Sequence, residues 1–439
     1  MTLTLFLLFV FKPVEVSEYI LKNGLKVIVY EEHFAPVVAV QIHYRIGSYN
    51  EPVGMTGISH LLEHMAFKGT KRYGPKEYDR IIDENGGEEN AFTSIHQTVY
   101  WANLQKDRYE IALELEADRM ENLLIAPADF SSEKNVVIEE RRLEENDPYG
   151  NLFETLDLLS YTYHPYRQPI IGFMSDIERI TRDDVYRWYK KFYNPANALI
   201  VIAGDVDNKG VLRQVKKHFG RIRGNPVKEE QFFEPPQNGE RRFEVYKDVI
   251  SAALAIHYHT VPINNKDSYP IDIIARILSY GKTSRFEKVI IQQKGLASSI
   301  WAYSSATKYG GSFVIFGIPQ VGVEIGLLES AIDSELSRLK DGDFTLEEME
   351  RAKNQVLAQF VFRQDSPMGI GFSLGFWEIE GGNWRGINEY PKEIMGVTKE
   401  DIMRVANKYF IKDNRTVGYL TPRSKDEPHT LPSPLKGED

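Results

Sequence analysis

The chain has 439 residues, 42% hydrophobic and 26% charged, with no cysteine and a formal net charge of −10. Length suits two or three domain-sized units with a real core, and the composition excludes a disordered, collagen-like or membrane-embedded body. Without thiols there is no disulfide, thiolate zinc site or iron–sulfur cluster, so a transition metal needs His, Asp or Glu; the acidic balance is the wrong sign for a nucleic-acid binder.

Met1 to Phe11 is an apolar run broken only by Thr2 and Thr4. It is too short to span a bilayer. It has the length of an export-signal core, yet lacks a preceding Lys or Arg and a following Ala-x-Ala site. Residues 1–17 are set apart as an export-type segment, against an artefact of the start codon or a buried first strand. The absence of Arg, with Glu15 and Glu18 close behind, speaks against a mitochondrial transit peptide. The expected location is a bacterial periplasm or cell envelope, with the cytoplasm as the alternative, and no integral membrane span is expected.

Gly24–Tyr30 and Val37–Arg45 alternate apolar and polar residues as strands do; Gly57–Phe67 and Tyr109–Leu124 carry apolar residues at helical spacing. Ala91–Trp101, rich in Thr, Tyr and Val, reads as one strand. A helix with a Ser131 cap is expected to carry Glu133, Glu139 and Glu140. Then the chain repeats itself. Thr181-Arg-Asp-Asp-Val, ending in Phe192-Tyr193 and a strand from Leu199, returns as Thr398-Lys-Glu-Asp-Ile, ending in Tyr409-Phe410 and a strand through Gly418-Tyr-Leu. Ile42-His43-Tyr44 likewise returns as Ile256-His257-Tyr258. The two halves are therefore duplicated, and their order of strands and helices, without strict βαβ alternation, argues for α+β. Each half is expected to be an α/β subdomain, a mixed or antiparallel sheet packed with helices. The first covers 18–222, a Gly-, Pro- and Gln-rich linker 223–241, the second 242–422, and a Pro-rich, charged tail 423–439.

The first half alone carries a metal motif. In Gly57-Ile-Ser-His60-Leu-Leu-Glu63-His64, two imidazoles at i and i+4 face one side of a helix and can reach one ion. Glu63 stands beside them, placed as a general base toward water. The order, with Glu just before the second His, is that of an inverted zincin, and chance supplies it at most roughly 0.03 times in a chain of this composition. The plainer alternative is a His pair and a carboxylate on a solvated helix face. A catalytic zinc wants a third protein ligand from another element. Glu133 and Glu140, seven apart, share a face, while Glu139 points about 100° from Glu140; spacing alone leaves that helix open between ligand and solvated face.

His60-Leu-Leu-Glu-His64-Met-Ala-Phe-Lys-Gly-Thr70, together with Glu133, Glu140 and the closing Asn414-Arg-Thr-Val-Gly-Tyr-Leu-Thr-Pro422, resembles the pitrilysin/insulinase family of zinc peptidases, most closely its processing-peptidase catalytic subunits and their bacterial relatives. The resemblance spans almost the whole chain. It implies one Zn²⁺ per chain held by His60, His64 and Glu140, with Glu63 as base and Glu133 as a supporting catalytic carboxylate. It also implies an edge strand at Asn90, Ala91, Phe92 and Thr93 that holds an extended peptide substrate as an added strand. In the second half Ile273, Arg276 and Ile277 stand where His60, Glu63 and His64 do, so that half cannot bind this metal. The resemblance further implies an Arg and a Tyr seven apart that bind substrate and polarise the scissile carbonyl, but Ile291 and Ser298 occupy those places. The expectation is a zinc metalloendopeptidase that cleaves extended peptides or unfolded segments, with a partner chain of the family supplying the Arg/Tyr pair. The alternative is a non-catalytic scaffold subunit; such relatives commonly lose the metal residues, which this chain keeps.

Overall fold

The computed structural model describes residues 12–423. The apolar run at Met1–Phe11 and the tail beyond Arg423 lie outside the described residues. Within them are two sheets. The first is built from β1 (Ser17–Ile20), β2 (Lys26–Glu31), β3 (Val37–Tyr44), β4 (Glu88–Thr93), β5 (Thr98–Gln105) and β6 (Ala198–Gly204), in the order β1-β2-β6-β3-β5-β4. The second comprises β7 (Arg241–Lys247), β8 (Ala253–Thr260), β9 (Ala297–Ala306), β10 (Gly311–Pro319) and β11 (Arg415–Pro422), in the order β7-β11-β8-β10-β9. Remove β1 and the two orders coincide. In each, one pair is parallel, β2 with β6 and β7 with β11, and the other pairs are antiparallel. The duplication read from Thr181/Thr398 and His43/His257 is thus a duplication of topology.

Helices that matter to the site are α1 (Ile58–Met65), α2 (Glu110–Asn122), α3 (Pro127–Asn146), α4 (Pro148–Ser160) and α5 (Arg182–Phe192) in the first half. In the second they are α6 (Ser268–Ser279), α7 (Leu346–Phe362), α8 (Pro367–Ile379) and α9 (Lys399–Tyr409). Thr181 and Thr398 begin α5 and α9 with the same reciprocal cap, each hydroxyl accepting from the N–H of the Asp three residues on, Asp184 and Asp401. Helix α3 starts earlier than its sequence suggests. Pro127, suited to a first helical turn, opens it, and Ser131 lies inside. Ala91–Trp101 is likewise two strands rather than one, because a tight turn closed by Ser94 N–H donating to Gln97 O separates β4 from β5.

Every residue of β6 is buried, as are all but the first of β3. One face of that sheet meets its own helices in a core running from Leu25 and Ile42 to Leu61 and Tyr189. The other face is covered by a helix of the second half: Ile370 and Leu374 of α8 pack with Ile28, Leu199 and Val201. Reciprocally, Leu152 and Leu156 of α4 pack with Ala253, Ala255, Val314 and Leu420 of the second sheet. The halves therefore exchange helices, and neither sheet is closed by its own residues alone. Close approach of α8 demands glycine. A Cβ at Gly375 would lie 2.1 Å from the His43 ring, and one at Gly371 2.7 Å from the Gln41 amide.

Residues 223–240 form neither helix nor strand. They are nevertheless pinned: the Glu234 carboxylate accepts from the backbone N–H groups of Thr162, Tyr163 and His164 at 2.6, 2.9 and 2.9 Å. Among the described residues no helix is long and apolar enough to cross a membrane.

Candidate metal centre

Helix α1 begins at Gly57, whose φ of +87° favours glycine and whose Cα faces the Ile171 carbonyl too closely for a Cβ. With no hydroxyl at that position, the exposed helix donors are met from upstream. The buried Glu51 carboxylate accepts from Gly57 N–H at 2.7 Å and Ser59 N–H at 2.8 Å. Burial pushes the Glu51 carboxyl up to about 7 against those two bonds. Leu61, Leu62 and Met65 anchor one face of α1 in the core, which leaves His60, Glu63 and His64 on the other. Sequence reasoning missed Glu51 because it lies outside the helix it caps and carries no local motif.

The two imidazoles stand with ring centroids 4.7 Å apart. Helix α3 packs across α1 and brings one carboxylate between them: Glu140 Oε2 lies 3.4 Å from His64 Nε2 and 4.0 Å from His60 Nε2. Ligands about 2.0–2.2 Å from a tetrahedral ion stand roughly 3.4 Å from one another; Glu140 and His64 are at that spacing, and all three donor atoms lie within 4.8 Å of one another, a set that small side-chain shifts would close on one zinc. Glu139, one residue away, is exposed and paired with Arg142 instead. Glu133 is seven residues before Glu140 and turns to the outer nitrogen of the second imidazole, Nδ1 of His64, at 3.4 Å, while Lys68 holds its other oxygen at 2.7 Å. It supports His64 from behind rather than entering the space among the donors. His60 Nδ1 is buried without a hydrogen-bond partner. Burial, and then the neighbouring His64, hold the His60 imidazole down to about 4, so it is a neutral donor at ordinary pH.

Strand β4 is an edge of the first sheet, paired among the described residues only with β5. Its side chains alternate. Glu89, Ala91 and Thr93 turn toward the helices, and Asn90 and Phe92 away. The Thr93 hydroxyl donates to Glu63 Oε2 at 2.5 Å, which ties the edge strand to the candidate base. Burial raises the Glu63 carboxyl, opposed by the Thr93 bond. Behind the strand lies Arg119, fully buried among the rings of Phe67, Tyr78 and Tyr100 at 4.9, 4.6 and 4.6 Å. It bonds Glu116 at 2.7 Å and reaches Glu89 of β4 at 3.5 Å. That ion pair joins α2 to the edge strand, and its long-range pairing left no sequence signal.

In the second half Ile273 and Ile277 are buried in the core and Arg276 donates to Gln359 on α7. Ile291 packs against that core, and the Ser298 hydroxyl donates to Ile318 O at 3.3 Å. Neither presents a cation or a phenol.

A two-sheet fold with paired histidines and a glutamate on one side only is the architecture of a zinc-peptidase class. Residues 26–172 match the model described as insulinase (peptidase family M16), and residues 179–356 the model described as peptidase M16 inactive domain. The chain belongs to peptidase family M16. It is 31% identical to the zinc protease PqqE of Helicobacter pylori, over 92% of this chain and 92% of that protein. It is 28% identical to the probable mitochondrial-processing peptidase subunit beta of Schizosaccharomyces pombe, over 88% of this chain and 87% of that one. The crystal structure of a protease from Helicobacter pylori superposes with a TM-score of 0.89 at 30% identity, covering 93% of this chain and all of that one. The periplasmic protease PqqL of Escherichia coli shares the fold at a TM-score of 0.77 and 17% identity, with 93% of this chain matching 48% of that one.

Proposed function

We propose that the protein is a zinc-dependent metalloendopeptidase that cleaves extended peptides or unfolded segments. The observation that carries this reading is the convergence of His60, His64 and Glu140 on one space, with Glu63 beside it and tied to a sheet edge. A zinc ion held by those three donors supplies Lewis acidity, which polarises a carbonyl oxygen and acidifies water. A peptide pairing with the backbone of β4, at Asn90 to Thr93, lies extended along the site. Glu63 Oε2 is engaged by Thr93, leaving Oε1 to take a proton from the attacking water. As the peptide C–N bond breaks, Glu63 returns that proton to the departing amine nitrogen. Glu133 holds His64 in place through Nδ1.

No cation or phenol stands at Ile291 and Ser298, so we assign this chain to a hetero-oligomer in which another family member supplies the Arg/Tyr pair. The name of the Schizosaccharomyces pombe relative as a subunit supports a divided site. Preorganised donors of this kind are worth about 2.7–4 kcal/mol, a hundredfold to a thousandfold in rate. The test is cleavage of an unstructured peptide by the zinc-loaded chain, alone and after addition of a family member bearing Arg and Tyr. Strong turnover only in the mixture supports the divided site, and full turnover by the chain alone overturns it. A scaffold role would leave both inactive; the complete donor set argues against it. We place the protein in a bacterial cell envelope on the apolar run Met1–Phe11, and cell fractionation tests this.

A further inference from the structure

The position equivalent to the metal centre is not filled in the second half; it is a cleft of about 790 Å³ between α6, β9, α7 and α8. Equivalence follows from the topology. Arg276 on α6 stands 213 residues after Glu63. The turn after β9, Thr307 N–H to Gly310 O, stands 213 after the turn that follows β4, Ser94 N–H to Gln97 O. Gln359 is the thirteenth residue after the start of α7, as Glu140 is after the start of α3. Where the first half sets histidines against Glu140, the second sets Arg276 against Gln359, and the two are hydrogen bonded.

The charged residues lining the cleft are Arg276, Arg363 and Asp272. Asp272 accepts from the Tyr390 hydroxyl at 2.7 Å and lies in the field of both guanidiniums, while Arg276 also donates to Gln359 and stacks over the Tyr280 ring at 4.4 Å. Two cations against one anion leave a surplus positive charge in a cleft walled by rings such as Phe360, Phe376 and Trp377. Low-dielectric walls strengthen the attraction for an anion, and a guanidinium fork matches a carboxylate. One ring links the cleft to the edge strand. Phe372 lines the cleft, and its ring lies 5.8 Å from Phe92 of β4 and 6.3 Å from Trp101 of β5. Phe92 is on the face of β4 away from Glu63, so a peptide paired there sends every second side chain toward this wall.

We infer that the cleft is a second recognition site that binds a carboxylate of the peptide held on β4, from an acidic side chain or from the peptide's C-terminus. Arg276 and Arg363 hold the carboxylate, and the aromatic wall takes the apolar part of the residue. This rests on the reading of β4 as the peptide-holding strand. It gives the metal-free half a specificity role that its loss of the zinc donors leaves open.

The test is binding, so that it does not depend on cleavage. Full-length Glu63→Gln protein is titrated with a fluorescent, unstructured ten-residue peptide of Ala, Ser and Gly with one Glu, its Gln counterpart, and each of these with a free or amidated C-terminus. The Glu peptide with a free C-terminus should bind about tenfold more tightly than the amidated Gln peptide, which has no carboxylate. That ratio should collapse toward one in Arg276→Gln, fall severalfold in Arg363→Gln and be partly kept in Arg276→Lys. Loss on amidation assigns the C-terminal group; loss on Glu to Gln assigns the side chain. Arg363 is exposed at the end of α7, so its variant reads binding even if Arg276→Gln fails to fold. Equal affinities for all four peptides, no binding, or a ratio unmoved by both arginine substitutions overturns the inference. If wild-type protein cleaves nothing while the ratio persists, the peptidase reading fails and the carboxylate site stands.

Discussion

The two halves share strand order, parallel and antiparallel pairing, and a Thr-capped helix leading into β6 or β11, yet differ at the one place where chemistry would occur. On α1 three polar side chains face α3 and the sheet edge; on α6 the same three places hold two core isoleucines and an arginine. The fold therefore does not need the metal. Its cores are complete in both halves, and each sheet is sealed by a helix from the other. The half without these donors has the same scaffold as the half that carries them.

The largest expected effect tests the half that carries the donor set. On the proposed reading Glu63→Gln removes the proton acceptor but no metal donor, so turnover should fall by about 10²–10⁴-fold with zinc still bound at one per chain, read by peptide cleavage and elemental analysis. Arg276→Gln in the other half should leave zinc content unchanged. Next in size, Glu140→Gln should weaken zinc binding by about a hundredfold or more, whereas Glu139→Gln, at an exposed residue paired with Arg142, should not change it. Equal zinc loss in both variants would place the third donor elsewhere.

Most of this contrast was legible in the sequence where it was local. The spacing of His60, Glu63 and His64, the Thr caps and the repeated Ile-His-Tyr each lie within one element. Glu140 was separable from Glu139 only through the resemblance or in three dimensions, because both lie on one helix and the choice depends on how α3 crosses α1. The exchange of α4 and α8 was not legible: an apolar helix face does not say which sheet it covers. Nor was Glu51, which reaches the N-terminus of α1 from outside it, nor the turn at Ser94–Gln97 inside a run of strand-forming residues.

The seam between the halves offers a third test. Gly375 lets α8 sit against the His43 ring, so Gly375→Ala should destabilise the protein by about 1–3 kcal/mol through forced displacement of the helix. Urea unfolding measures it. The same seam makes stability depend on pH. Burial holds His43 down to about 4 and His257 well below its ordinary range. Above pH 6.5 such a histidine is neutral whether folded or not. Between 6.5 and about 4 only the unfolded chain takes up the proton, so stability falls as pH falls. His43→Gln should remove up to about 1.4 kcal/mol per pH unit from that slope. An unchanged slope would mean that His43 is protonated in the native state.

The smallest effect probes the link between edge strand and base. Thr93→Val keeps the size and β-propensity of the residue and deletes the hydroxyl that donates to Glu63. One hydrogen bond to a carboxylate is worth about 1.5–3 kcal/mol when fully formed, but water reaching the vacated position recovers part of it. Turnover should therefore fall about threefold to tenfold with zinc content unchanged. The fall should appear in kcat, because a bound peptide pairs with the strand backbone and not with this side chain. If KM rises while kcat holds, Thr93 meets substrate, and the contact with Glu63 is incidental to the chemistry.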